Sequence, residues 1–506
     1  MRAALGPVIA NLLLAGAGMG VLWAVAFVEF SPRGLVGAFG LAFLTGVASV
    51  GALLVTALVV GIPYNLGTIV VASLGVAALG WGVGLVRRRS ALVRLRGRSW
   101  RLDLGGVRRR FSPRSVQGYL SANRFLVVFA LAFAIYAVVG LVTAAVTPLT
   151  QWDAWAIWTP KALVLTNFQH LPVGFFTGPS YLLPHQDYPL LVPLLESIWF
   201  RSAGTVDTQA VHVELWLLLV GFVWSAAYLM HRRGARILLW GPLLLAAALA
   251  SGLYTQLLSG YADVPMALFA GLGFLLLGLW ITEGRRAQLA LAVLFLAAAA
   301  NTKNEGLPIA VIALLAAGLA VGRSRPGTAR NLALAAGALV IIVLPWHAWT
   351  SIHGIPADHD APISKVADLS YMFGRTGRIW PSMSALEGVL SDEGSWSYVV
   401  PIGAGIAVSC LFWRVARRLA LFYLGTAALI FLLYVLVYWV SPDNLSWYLT
   451  TSANRVVDVL IFVALAAGLQ LPAEVAAGAR RRGAQPRLVK DEPAVDDPAA
   501  RVPLPQ

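Results

Sequence analysis

Thr147-Pro148-Leu149-Thr150-Gln151-Trp152-Asp153-Ala154-Trp155-Ala156-Ile157-Trp158 follows directly on an unbroken apolar run, residues 125–146. The run is long enough to cross a bilayer, which takes ~20 residues. The stretch after it is too polar to cross and too aromatic for a plain linker. It continues to His185-Gln186-Asp187-Tyr188-Pro189 and ends at Glu196. Acids, histidines and tryptophans therefore meet at one mouth of a membrane bundle. The fold class this implies is an all-α integral membrane protein, a multi-spanning helical bundle with two larger loops on the face that carries this stretch.

Composition agrees. The chain has 506 residues, of which 59% are hydrophobic and 12% charged, where a soluble domain carries roughly 25% charged residues. The net charge of +15 lies in short arginine-rich links between apolar runs, the positive-inside pattern. A nucleic-acid-binding face would instead gather basic and aromatic residues on one soluble domain, so no nucleic-acid partner is expected. Cys410 is the only cysteine, which excludes an intramolecular disulfide and a cysteine-rich metal site.

Apolar runs at 7–29, 34–62, 66–86, 125–146, 207–230, 237–255, 264–282, 287–300, 307–322, 331–350, 399–413, 419–440 and 456–471 predict about thirteen spans, with the N-terminus outside and the C-terminus inside. The segregation of charge supports this topology. The basic turns after residue 87 fall on one side. Most isolated acids, namely Asp153, Asp187, Asp263, Glu305, Asp358, Asp360, Glu387, Asp392, Glu393 and Asp443, fall on the other. The expected organisation is a three-helix membrane extension (1–86), a basic inner segment (87–123), a membrane core (124–471) and a Pro- and acid-rich disordered tail (472–506). The two large outer loops are 147–206 and 351–398.

Five groups on the outer side are candidates for chemistry, each with a plainer alternative. Asp153 stands among Trp152, Trp155 and Trp158. Tryptophans alone would make an interfacial belt. A carboxylate beside apolar rings is disfavoured in its charged form, which suits a general base. Asp263, in Tyr261-Ala262-Asp263-Val264-Pro265, is placed to cap the helix that follows or to act as a held acid. Lys303 and Glu305 make either a local ion pair or an anion site, with Glu305 orienting the ammonium. His185, Asp187 and Tyr188 precede Pro189. With His347, His353, His359, Asp358 and Asp360 they match no metal-ligand spacing, so a divalent metal is left open and surface-loop roles are favoured. Arg455 stands outside the inner-side arginine pattern. It either snorkels to headgroups or holds a phosphate through paired hydrogen bonds.

Taken together, Trp152-Asp153-Ala154-Trp155, His185-Gln186-Asp187-Tyr188-Pro189, Tyr261-Ala262-Asp263-Val264-Pro265, Thr302-Lys303-Asn304-Glu305-Gly306 and Trp447-Tyr448-Leu449-Thr450-Thr451-Ser452 with Arg455 resemble the GT-C fold glycosyltransferases that use polyprenyl-phosphate sugars. The likeness is to bacterial relatives of protein mannosyltransferases and lipid A aminoarabinose transferases, and it covers roughly 124–471. The resemblance implies that Asp153 is the catalytic base, that Asp263 assists, and that Lys303 and Arg455 bind the donor phosphate. Trp152, Trp155, His185, Asp187, Tyr188 and Glu305 would line the substrate site. It also implies a polyprenyl-phosphate sugar donor, a glycan, lipid or protein acceptor, and membrane lipid as partners. The expected location is a bacterial inner membrane with the site extracytoplasmic. Two features depart from the family pattern. Ala154 follows Asp153 where mannosyltransferases often carry a second acid, and the extension before residue 124 is not part of the minimal core. A transporter or flippase of lipid-linked saccharides would also have many spans. It needs ionisable groups near mid-membrane, whereas here they crowd one face. A non-catalytic envelope scaffold would make no single outer acid essential.

Overall fold

The computed structural model describes residues 2–29, 31–87, 123–178, 184–322, 325–356 and 363–483. Most of the basic segment 87–123 lies outside the described residues, as do Asp358, His359, Asp360 and the tail 484–506. Among the described residues the chain is helical and has no strand. Its principal helices are α1 (Arg2–Ala24), α2 (Phe39–Val59), α3 (Leu66–Arg87), α4 (Arg124–Val146), α5 (Thr159–Phe168), α6 (Leu191–Ala203), α7 (Ala210–Arg232), α8 (Gly241–Leu249) and α9 (Ser251–Leu257). The second half comprises α10 (Asp263–Glu283), α11 (Arg286–Ala300), α12 (Gly306–Val321), α13 (Thr328–Ile352), α14 (Ile379–Leu390), α15 (Val399–Cys410), α16 (Arg417–Val440), α17 (Leu445–Val456) and α18 (Asp458–Gly483).

Nine segments among the described residues are long and apolar enough to cross a bilayer: α1 to α4, α7, α10, α13, α16 and the α17–α18 stretch. The protein is thus an all-α, multi-pass membrane protein. Three further apolar helices, α11, α12 and α15, are shorter. The run 237–255, expected as one crossing, is instead α8 and α9, broken at Ala250, whose ψ of 125° is extended. Ser251 starts the second piece and turns its hydroxyl to the Gly394 carbonyl at 2.9 Å. The break is thereby tied to the second large loop.

α10 is the axis of the bundle. It is apolar on every side, the signature of a helix enclosed by protein, and its most apolar window is buried throughout. Where α10 meets α16 and α18, Gln470 donates to the Leu275 carbonyl at 2.7 Å and accepts from Tyr423 at 2.8 Å. Polar side chains of this kind join helices in lipid. α4 lies at the other extreme, with most of its surface facing outward.

The first three helices are not a separate unit. They share the main apolar core with the rest of the chain. α1 and α2 touch backbone to backbone: a Cβ on Gly46 would lie 1.8 Å from the Leu14 carbonyl oxygen. Asn11 of α1 donates to Glu214 of α7 at 3.1 Å. Arg87 reaches the Ala24 carbonyl at 3.0 Å, and the Tyr64 amide donates to the Gln169 carbonyl at 2.6 Å. The 25–29 and 87 ends therefore share one face of the bundle, and the 60–65 turn joins the face that carries residues 147–206.

The basic turns meet at one end. Arg233 contacts Glu283 and Glu474, and Arg325 donates to the carbonyls of Trp280, Ile281 and Thr282. α18 continues through Pro472 to Gly483, so the expected tail boundary at 472 is too early. Both large loops are also more ordered than "loop" suggests. The first contains α5 and α6, and the second contains α14 and several shorter helical turns. Arg375 and Arg378 of the second loop donate to the Ser441 carbonyl, and Arg378 also to that of Asp443. They cover the carbonyl end of α16, where cations are favoured. Arg455 is therefore not the only arginine away from the basic turns, as the sequence pattern had implied.

Candidate functional site

The end opposite the basic turns gathers the N-terminus of α10, the α11–α12 turn, the start of the first large loop and the end of α17. After α4 the chain runs extended to Gln151, then enters a turn of π-helix over Ala154–Trp158 that passes into α5. π-helical turns are rare and often occur at functional sites. Asp153 immediately precedes this turn, with a side chain 20% exposed. Trp152 and Trp155 are half exposed and meet edge to face with their ring centroids 6.3 Å apart, inside the roughly 4.5–7 Å typical of aromatic pairs. The apolar surrounding expected for Asp153 is not what it has. Its carboxylate is hydrogen-bonded to the guanidinium of Arg455.

Arg455 comes from α17, which the sequence suggests is a loop. Asn444 caps this helix, accepting from the Trp447 amide at 3.1 Å, and Arg455 stands in its last turn. The guanidinium also lies over the Tyr261 ring, 4.6 Å from its centroid. Its Nε is buried and has no hydrogen-bond partner among the described residues. Burial and the Asp153 charge together push the Tyr261 phenol above its ordinary value, against Arg455, so Tyr261 stays neutral and able to donate.

Asp263 is 2% exposed. It does not cap α10: Ala262 is the cap residue, with no side-chain bond. Its carboxylate is 2.8 Å from the Lys303 ammonium, which also lies 3.1 Å from Glu305. Burial opposes the charge on Lys303, but Asp263 and Glu305 outweigh it and hold the ammonium above the usual lysine range. Arg455 acts electrostatically on Asp263 as well, so the two ion pairs are neighbours. Together they form a carboxylate–cation array drawn from four separate segments.

The His185–Tyr188 segment docks against the same array. Asp187 accepts from Asn304 at 2.7 Å, its carbonyl accepts from Trp346 at 2.7 Å, and the Leu191 amide donates to the Asn301 carbonyl at 3.0 Å. His185 stacks on Tyr188 at 4.4 Å, and Tyr188 stacks on Trp158 at 5.6 Å. Lys303 stands 5.8 Å from the Tyr188 ring centroid. The structure thus brings all ten singled-out residues, Trp152, Asp153, Trp155, His185, Asp187, Tyr188, Asp263, Lys303, Glu305 and Arg455, to one end of the bundle. His347 and His353 do not sit on a loop: His347 is within α13, and His353 ends it, its Nδ1 2.8 Å from the Trp349 carbonyl. Among the described residues no group of three or more His, Cys, Asp or Glu side chains is placed to hold a metal ion.

Two residues were missed. Lys161 is 1% exposed and donates to the carbonyls of His185 at 2.6 Å and Tyr188 at 3.0 Å. A lone lysine in Trp158-Thr159-Pro160-Lys161-Ala162-Leu163-Val164 was the available signal. Asp458, also 1% exposed, opens α18 within electrostatic reach of Asp263, Lys303 and Arg455. Neither of its oxygens has a partner among the described residues. The signal for it was an acid three positions after Arg455 at the start of the last apolar run. Hydrogen bonds from a charged donor contribute about 1.5–3 kcal/mol each. Lys161→Met is therefore expected to raise amide hydrogen exchange across residues 184–190 at least about tenfold, without changing exchange in α10. Unchanged exchange in both would deny Lys161 its positioning role.

The turn that presents Tyr261 and Asp263 requires a glycine. Gly260 has φ +75°, and a Cβ there would lie 2.9 Å from Leu149 and 3.0 Å from Ala154. Only glycine takes this conformation without strain while the turn lies against the Asp153 segment.

Comparisons with known proteins find no matching family model, no matching curated sequence and no matching solved structure.

Proposed function

We propose that the chain is a membrane glycosyltransferase of GT-C type, moving a monosaccharide from a polyprenyl-phosphate donor to an extracytoplasmic acceptor in the cell envelope. The observation that carries this reading is the pairing of an accessible carboxylate with a cation, Asp153 with Arg455, beside a second and more buried pair, Asp263 with Lys303. Sugar transfer from a lipid phosphate needs those two functions side by side: a base for the incoming hydroxyl and positive charge for the departing phosphate.

In this mechanism the acceptor hydroxyl gives its proton to Asp153 as its oxygen attacks the anomeric carbon. The bond from that carbon to the phosphate oxygen breaks, and the lipid monophosphate leaves with the electron pair. Lys303 and Arg455 stabilise its charge. Arg455 serves both partners because a guanidinium has five donors and its Nε is unengaged among the described residues. Asp263 is too buried to meet an acceptor, so its part is to hold Lys303 in place. A single displacement inverts the anomeric centre. Trp152 and Trp155, both half exposed, offer aromatic faces to the sugar, and His185, Asp187, Tyr188 and Glu305 border the same place. The acceptor is a glycan, glycolipid or protein, and the site faces away from the basic turns, extracytoplasmic in a bacterial inner membrane by the positive-inside rule.

Proteoliposomes holding a polyprenyl-phosphate sugar labelled in the sugar ring test this reading. Transfer moves label from the lipid to the acceptor. Appearance of intact labelled lipid in the opposite leaflet, with no label on an acceptor, would replace transfer by translocation.

A further inference from the structure

At the basic end of the bundle α7, α10, α11 and α18 enclose a cavity of about 330 Å³, lined by Phe27, Arg232, Arg233, Glu283, Arg285 and Arg481 among others. The transfer reading makes no use of it. Four arginines face it or rim it, against Glu283 on its wall and Glu474 just behind Arg233. A topology signal does not need this arrangement. Arginines that mark the inner side of a membrane need only stand in water at helix ends. Arg233 is instead drawn in until its side chain is 11% exposed. Its Nε lies 3.5 Å from Glu283 and its Nη2 bonds Glu474, while its Nη1 is buried with no hydrogen-bond partner among the described residues. Arg232 is fixed over the Phe27 ring at 4.5 Å. Arg285 is 63% exposed at the rim, its Nε 3.4 Å from Glu283, and Arg481 is exposed.

The cavity is therefore a basic wall with a buried donor left over and an apolar side formed by Phe27, Leu229 and Leu279. It lies where α7 and α10 end, and a helix that spans a bilayer ends near the level where headgroup meets acyl chain. Guanidinium groups match phosphate oxygens through paired hydrogen bonds, and basic pockets between spanning helices take anionic headgroups. We propose that this cavity binds the phosphate of an anionic phospholipid headgroup, the apolar side receiving the first part of its acyl chains. The inference is independent of glycosyl transfer at the other end.

The test uses the full chain in detergent and native mass spectrometry. Phosphatidylglycerol, phosphatidylcholine and inorganic phosphate are titrated separately onto wild type, Arg285→Gln/Arg481→Gln and Arg330→Gln. Arg233 is left in place because its ion pairs hold α7 to α10 and α18. Arg330 is an exposed arginine that does not line the cavity, and equal melting temperatures show that all three proteins are folded. The expected result is one phosphatidylglycerol retained per wild-type chain, phosphatidylcholine not retained, and affinity lowered about fivefold for each arginine removed from the rim, with Arg330→Gln unchanged. Saturable binding of inorganic phosphate alone, lost in the double variant, would keep the anion site and assign it a soluble phosphate. Retention that is equal in all three proteins, or that falls as much in Arg330→Gln, would overturn the site and leave these arginines as topology signals.

Discussion

Asp153→Asn is expected to lower sugar transfer by about 10²–10⁴-fold, the contribution of a positioned general base, while the protein stays folded. Asparagine keeps the shape of the side chain and an oxygen that can accept from Arg455, but it cannot take the acceptor proton. The loss should fall on kcat, because the groups assigned to the donor phosphate, Lys303 and Arg455, remain. Melting temperature and donor KM should stay close to wild type. A folded Asp153→Asn protein that transfers sugar at the wild-type rate would remove Asp153 from the mechanism. A fall in KM-dependent rate alone would make Asp153 a donor-binding group working through Arg455.

The second large effect concerns stability. Lys303 and Asp263 have side chains 9% and 3% exposed, 2.8 Å apart. Removing one member of a buried pair strands the other and costs about 3–5 kcal/mol, whereas replacing both with neutral groups of similar volume is often near neutral. Lys303→Met is therefore expected to lower the melting temperature sharply, and Lys303→Met with Asp263→Asn to recover most of the loss. Neither protein should transfer sugar, because the leaving phosphate has lost a cation. Stability recovered without activity would separate the pair's structural role from its catalytic one. An unchanged melting temperature in Lys303→Met would show that the pair does not hold the site together. Because Lys303 is held above the usual lysine range, its contribution is fully present below the unfolded value of about 10.4 and is lost only as pH rises through the folded value. Stability from this pair should thus be insensitive to alkali up to about pH 10.

The spanning helices were legible because each is a long apolar run, and α10 most of all, since it lacks any polar face. The α8–α9 break was not legible. Nothing between Leu243 and Leu249 stops a helix, and the contact made at the break is with Gly394, far along the chain. α17 was missed for a related reason. Its Ser, Thr and Trp residues look like a loop until Asn444 is seen to cap it. At the site, the residue types and their common side could be read from the charge pattern, but their partners could not. Asp153 and Arg455 are 302 positions apart, and a single sequence does not say which cation meets which acid. Asp263 shows the limit well. Its position before Pro265 fits a helix cap, and only the fold reveals that Lys303 takes its carboxylate instead. Lys161 and Asp458 escaped because a lone charge in an apolar run gives no indication of what it will face.

The most direct test of the central claim is the fate of the donor lipid. Wild-type protein in proteoliposomes would be given a panel of polyprenyl-phosphate monosaccharides with candidate acceptors, and the lipid fraction followed by mass spectrometry. The expected result is that one donor is converted to free polyprenyl phosphate in step with sugar gained by the acceptor, and that Asp153→Asn stops both. Conversion that proceeds equally in wild type and Asp153→Asn, or sugar-bearing lipid that changes leaflet without losing its sugar, would contradict it.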